Sequence, residues 1–232
     1  MSTPLLVEFF NHLPDRRASE GAEGGKALHK ALATFKKRVA ERYTEGTLLR
    51  LLESTDPRTR RAALLALGLV GSMDVNATLA ARLRDDDGDV CRAAVDALWS
   101  LWFRADTQAH NEELQRLSRL RDREKALAGL DALLQKAPNF AEAYNQRAIV
   151  AFRLKQFDRS IADCEKALQL NPYHFGAQAG MAQCYLQLRK HKAALKAFRH
   201  ALRINPTMEG IAETIRALEN ALGEEGRKDD KK

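Results

Sequence analysis

Ala167-Leu168-Gln169-Leu170-Asn171-Pro172 returns as Ala201-Leu202-Arg203-Ile204-Asn205-Pro206, 34 residues further along. The same spacing relates Ala148 to Ala182, Ser160 to Ala194, and Pro138 to Pro172 to Pro206. Leu114 and Ala126 stand one period further upstream. Small residues recur where two helices must approach closely, and proline recurs where a helix must stop. A period of this length, with no strand-like alternation anywhere in the chain, belongs to stacked helical hairpins in which each hairpin covers the apolar face of its neighbour. The expected fold is all-α, a right-handed α-solenoid.

A shorter period lies upstream. Asp56-Pro57-Arg58-Thr59-Arg60-Arg61-Ala62-Ala63-Leu64 parallels Asp87-Gly88-Asp89-Val90-Cys91-Arg92-Ala93-Ala94-Val95 at an offset of 31. Leu48 and Leu52 map onto Leu79 and Leu83 at the same offset. Asp56 can cap the helix that follows it, with Pro57 at the first position, where its missing N–H costs nothing.

The 34-residue pattern resembles the tetratricopeptide (TPR) family over about 107–208, in three repeats: 107–140, 141–174 and 175–208. The second repeat offers Tyr144, Ala148, Ala167 and Pro172, and the third Ala182, Tyr185, Ala194, Phe198, Ala201 and Pro206. The first is degenerate, with His110, Leu114, Leu117, Ala126, Leu130, Leu133 and Pro138. The 31-residue pattern resembles short bacterial HEAT-type repeats over about 46–104. Together these resemblances imply HEAT-like repeats followed by TPR-like repeats. The domain limits they suggest are N-terminal helices with a flexible linker over 1–45, HEAT-like repeats over 46–104, TPR-like repeats with a closing helix over 105–223, and a charged, disordered tail over 224–232.

Composition bounds the function. No stretch approaches the ~18–20 apolar residues of a membrane span. Leu5-Leu6-Val7-Glu8-Phe9-Phe10 is short, interrupted by a charge and without a cleavage site, so it reads as an amphipathic helix begun by Thr3 and Pro4 that covers an end of the stack. Asp15 to Lys26, with Ser19, Gly21, Gly24 and Gly25, reads as the linker. Cys91, Cys164 and Cys184 are odd in number and lack CxxC spacing, which points to reduced core thiols and a cytoplasmic setting. Trp99, Trp102 and Phe103 share one helix face at the join of the two repeat types and read as core.

Several chemical readings fall away. Asp85-Asp86-Asp87-Gly88-Asp89 leads to Val90 and Asp96 where a calcium loop needs its sixth-position glycine and twelfth-position glutamate, and reads as an inter-helix turn. The six histidines are dispersed, and HExxH, GxSxG and phosphate-binding loops are absent. No metal, cofactor or catalytic set is expected, and the chain reads as non-enzymatic. Short HEAT-like repeats also occur in bilin-attachment lyases. The TPR-like extension and the lack of a nucleophile paired with a base argue against that chemistry here.

The TPR resemblance implies a concave groove that binds a peptide or protein partner. The family's groove positions fall on Asn111, Gln115 and Arg119 in the first repeat. In the second they fall on Asn145, Ile149, Phe152 and Arg153, and in the third on Gln183, Leu186 and Gln187. Gln108, Ser118, Glu142, Gly176 and Ala179 occupy the remaining places. Asn and Gln both donate and accept, which suits an extended backbone, and Arg119 and Arg153 suit carboxylates of an acidic ligand. The family's clamp for chaperone C-termini requires two lysines, and Asn111 and Gly176 stand in their places, so that mode of binding is not implied. The alternative reading is a nucleic-acid-associated scaffold. The net charge is +7, from 38 basic against 31 acidic side chains, and basic residues concentrate at Arg189, Lys190, Lys192, Lys196, Arg199 and Arg203. Abundant acidic residues and the lack of an identifiable stacking platform weigh against it.

Overall fold

The computed structural model describes residues 4–14 and 22–229. Thr3, most of the stretch read as a linker, and the last three residues of the tail lie outside the described residues. Every regular element among the described residues is helical, as an all-α repeat fold requires. The chain divides into two compact units, Met1–Leu101 and Trp102–Lys232.

The first unit holds α1 (Leu5–Asn11), α2 (Ala22–Arg42), α3 (Glu45–Leu51), α4 (Pro57–Val70), α5 (Asn76–Ala81) and most of α6 (Gly88–Trp102). Helix α2 begins inside the stretch read as a linker. Helix α1 buries Leu6 and Val7 and packs on α2 and α4. The two helices that open at the 31-residue repeat are capped in the same way. The Asp56 carboxylate accepts from the N–H groups of Arg58 and Thr59 at 3.2 and 3.1 Å. That of Asp87 accepts from Asp89 and Val90 at 2.8 and 3.0 Å. Such caps satisfy backbone donors that the first turn of a helix leaves open. Helices α4 and α6 meet at Gly68, where a Cβ would come within 2.8 Å of the Ala97 Cα, so a side chain there would force the helices apart.

The acidic turn has a structural occupation. Arg60 is buried, and its guanidinium donates to the Ser54 and Thr55 carbonyls at 2.9 and 3.3 Å. It also donates to the carboxylates of Asp85 at 2.6 Å and Asp86 at 2.9 Å. One side chain thereby ties the loop after α3 to the loop before α6. Burial alone would raise the Asp85 pKa, but the bonds from Arg60 and from the Asp87 N–H outweigh it and hold this carboxyl below the usual carboxylate range.

The second unit is three hairpins and a closing helix. The hairpins are α7 (Gln108–Ser118) with α8 (Arg123–Lys136), α9 (Ala141–Arg153) with α10 (Phe157–Leu170), and α11 (Phe175–Gln187) with α12 (His191–Ile204). The closing helix α13 spans Ile211–Asp229 and carries Gly223 in its interior. The small residues of the period, Ala126, Ala148, Ala167, Ala182, Ala194 and Ala201, are all buried at helix contacts. Asn171 and Asn205 explain their own recurrence. Each accepts, through its side-chain oxygen, the N–H two residues on (Tyr173 and Thr207, both 3.1 Å), turning the chain sharply after a helix. Arg147 forks between the Asp163 carboxylate, at 2.9 and 2.6 Å, and the Asp131 carboxylate at 2.9 Å, joining α9 to α10 and α8.

Two turns inside the hairpins carry strain. The turn after α9 holds Lys155 at φ 61°, and the turn after α11 holds Arg189, one period later, at φ 56°. Around Lys155, its own N–H reaches the Phe152 carbonyl and the Gln156 N–H reaches that of Ala151, both at 2.9 Å. Around Arg189 the same pair of bonds runs to Leu186 at 3.0 Å and from Lys190 to Tyr185 at 2.8 Å. This is a Schellman ending, whose left-handed residue is ordinarily glycine because a Cβ costs about 1–2 kcal/mol there.

Two expectations follow from these contacts. Lys155→Gly and Arg189→Gly should each raise stability by up to about 1 kcal/mol, the steric relief less the entropy that glycine adds to the unfolded chain. A loss in urea midpoint for both would contradict the strain. Asp85→Asn should cost about 3–5 kcal/mol at neutral pH, because it leaves buried Arg60 short of its counter-charge. A depressed carboxylate stabilises above its unfolded pKa of about 4, and that contribution disappears as pH falls through the folded value. The gap between wild type and Asp85→Asn should therefore narrow below about pH 4. Denaturant titrations across that range measure it.

Candidate functional site

The first helices of the three hairpins, α7, α9 and α11, carry the residues that the repeat pattern assigns to a ligand. Helices α9 and α11 pack on each other. Their contact is organised around a carboxylate with no exposure. Glu142, in the first turn of α9, and His174, at the N-cap of α11, are both 0% exposed, and His174 Nε2 lies 2.7 Å from Glu142 Oε2. His174 Nδ1 accepts the Ala177 N–H at 3.1 Å, so the ring proton sits on Nε2 and is donated to Glu142. Two more donors close the shell: Asn145 Nδ2 at 3.2 Å and Gln146 Nε2 at 2.6 Å. The free N–H groups at the start of α9 add a favourable partial positive charge. Above the imidazole lies Trp102, stacked at 4.3 Å between centroids with an interplanar angle of 23°, and Phe175 sits 5.2 Å from the same indole. Trp102 is 1% exposed, in line with its reading as core.

Both ring nitrogens of His174 are engaged and its surface is covered, so the pair is built to hold structure rather than to move protons. The thiols share that character. Burial, with Cys184 close by, pushes the Cys164 thiol far up, and burial likewise raises Cys184. Cys184 Sγ donates to Ser160 Oγ at 3.2 Å, and Ser160 in turn donates to the Ala148 carbonyl at 2.8 Å. Cys91 is also buried and raised, by desolvation first and by neighbouring Asp85 second. Among the described residues no group of three or more His, Cys, Asp or Glu is placed to hold a metal ion, and no helix is long and apolar enough to cross a membrane.

The ten residues assigned to the groove divide by environment. Gln115, Arg119, Arg153, Gln183 and Gln187 are exposed. Ile149, Phe152 and Leu186 are half-buried, Phe152 resting edge-on against Phe157 at 5.6 Å. Asn111 and Asn145 differ from the sequence reading, which offered both to a ligand backbone. Asn111 is buried and bonds Asp106 twice, accepting its N–H at 3.1 Å and donating to its carbonyl at 2.8 Å. Asn145 is buried against Glu142. Their amides hold the protein's own chain. Glu142, in one of the face positions, is likewise taken inward by His174. The pairing had a trace in the sequence: Glu142 and His174 are 32 residues apart, two short of the period that brings successive first helices side by side.

Comparison with known proteins finds two repeat families in the chain. Residues 25–99 match the HEAT repeat family and residues 139–207 the tetratricopeptide repeat family. The chain carries both kinds of repeat. The HEAT match opens within α2, upstream of the residue 46 expected from the 31-residue period. The tetratricopeptide match covers the second and third hairpins, and the degenerate α7–α8 pair falls before it. A TPR repeat-containing protein of Rhizobium etli is 33% identical over 97 residues, which are 42% of this chain and 48% of that protein. Sperm-associated antigen 1 of Mus musculus is 31% identical over 101 residues, 44% of this chain and 11% of its own length. The chain thus spans less than half the length of either relative. Among solved structures, the first TPR of Spaghetti (RPAP3) bound to an HSP90 peptide aligns with a TM-score of 0.46 at 22% identity, over 50% of this chain and 91% of that one.

The buried cluster makes a clear demand on stability. His174→Ala removes the Glu142 partner, the cap on Ala177 and the face under Trp102 together, and should cost about 3–5 kcal/mol. In a double-mutant cycle with Glu142→Gln, the two changes should couple by at least about 1 kcal/mol, since each removes the partner of the other. Additive losses would place the stabilisation in packing alone.

Proposed function

We propose that this chain is a non-enzymatic protein-binding adaptor that holds an extended, acidic peptide segment along α7, α9 and α11. The observation that carries this reading is the contrast within one set of helix positions. The inner members, Asn111, Glu142 and Asn145, are spent on the protein's own polar groups. The outer members, Gln115, Arg119, Arg153, Gln183 and Gln187, are exposed. A fixed inner layer pre-pays the ordering of the frame, so a ligand need not do so. The exposed amides offer both donors and acceptors to a peptide backbone, Arg119 and Arg153 offer forks to carboxylates, and half-buried Ile149, Phe152 and Leu186 offer apolar seats between them. The three buried free thiols suit a reducing compartment such as the cytoplasm. Asn111 and Gly176 stand where the family's clamp for chaperone C-termini requires lysines, so the proposed ligand is not a chaperone tail held in that manner.

Selection of peptides on the purified protein from a random library tests the reading. The selected peptides should be acidic, and Arg119→Ala with Arg153→Ala should weaken them about 10- to 100-fold, the worth of one or two charge-assisted hydrogen bonds. Thermal melting should stay nearly unchanged, since both side chains are exposed. Peptides that bind the folded double variant as tightly as the wild type would remove α7 and α9 from the site.

A further inference from the structure

A second surface lies on the other helix of the third hairpin. Helix α12 buries Ala194, Ala197, Phe198 and Ala201, and this inward face fixes what the rest of the helix presents. Lys192, Lys196, Arg199 and Arg203 follow one another at steps of four, three and four residues and form one stripe. At 1.5 Å per residue the stripe is about 16 Å long. Together with half-buried Leu195 and Leu202 of α12 and Ile215 of α13, these four cations line an open cleft of about 580 Å³. Among the described residues neither Lys192 nor Lys196 has an ion-pair partner. The nearby His200 ring shows the sign of the local field: partial burial lowers its pKa first, and the charges of Arg203 and Lys196 lower it further.

We infer that this cleft between α12 and α13 is a docking site for an acidic amphipathic helix of a partner protein. Charge complementarity selects the occupant, and the chain displays a sample of it. Glu219, borne on helix α13, already places its carboxylate 2.6 Å from Arg199. A helix carrying carboxylates four residues apart reproduces the spacing of Lys192 and Lys196. Its intervening apolar side chains descend onto Leu195, Leu202 and Ile215. Nucleic acid answers the charge but not the lining, for the apolar residues are aliphatic and give bases no ring to stack on. An anionic membrane fits less well, since those aliphatic side chains are half-buried and do not project to enter a bilayer.

The test uses the full chain and a fluorescein-labelled synthetic helix of about 14 residues, roughly four turns, with Glu at the stripe spacing and Leu between. A matched peptide carries Gln in place of Glu, and a single-stranded oligonucleotide and anionic vesicles serve as the other probes. At about 0.15 M salt, where exposed charges more than ~8 Å apart are screened, the Glu peptide should bind. The Gln peptide should bind at least about tenfold more weakly, and so should the Glu peptide to Lys192→Glu/Lys196→Glu. Lys192→Gln/Lys196→Gln should fall between, and all variants should melt like the wild type. The Arg119→Ala/Arg153→Ala variant should bind the Glu peptide normally, which separates this cleft from the α7–α9–α11 face. Equal binding of Glu and Gln peptides overturns the inference, as does binding retained after charge reversal or lost in the Arg119/Arg153 variant. Tighter binding of the oligonucleotide or the vesicles through the same lysines overturns it as well.

Discussion

Placing a carboxylate where no water reaches it costs several kcal/mol unless every lone pair finds a donor. Glu142 meets that condition with His174, Asn145 and Gln146, and with the amide end of its own helix. The consequence is geometric more than energetic. A hydrophobic contact tolerates sliding by a few tenths of an ångström, whereas a shell of hydrogen bonds around one anion does not. His174 extends the constraint, because the same ring caps α11 and supports Trp102. One buried charge therefore sets the register between successive hairpins, and the exposed side chains of α9 and α11 inherit their spacing from it.

The two units solve a shared problem with the same type of side chain. Stacked hairpins are joined mainly by alanine-sized contacts, which allow close approach but give little direction. In the first unit the Arg60 guanidinium bridges two loops. In the second, Arg147 bridges Asp131 and Asp163 across three helices. A planar fork with fixed donor angles supplies the direction that small apolar residues lack. Each unit thus gains direction from one such fork, Arg60 in the first and Arg147 in the second.

The sequence made the hairpins legible because their causes are local. Asp56 and Asp87 cap helices from one position away, Pro138, Pro172 and Pro206 forbid continuation, and small residues mark close contacts. What stayed hidden depends on neighbours distant in the chain. Asn111 and Asn145 stand at positions that face a ligand in the repeat pattern, yet Asp106 and Glu142 claim them, and only the folded neighbourhood reveals it. His174 is one of several scattered histidines in the sequence, and its role comes from Glu142 on the helix beside it. The sequence reading ends the closing helix at residue 223, but a helix interior tolerates Gly223 for about 1 kcal/mol, and α13 runs on to Asp229. Lys155 and Arg189 occupy left-handed turns where local preference favours glycine, so their placement is set by the hairpin around them.

The buried thiols turn the molecule into its own stopwatch. A thiol inside close-packed helices reacts with a modifying reagent only when its surroundings open, so its labelling rate counts those openings. Cys91 keeps time for the first unit, while Cys164 and Cys184 keep time for the second. The chain thus carries native chemical reporters in both halves. Breathing of one repeat set can be clocked apart from the other without a probe being added to either.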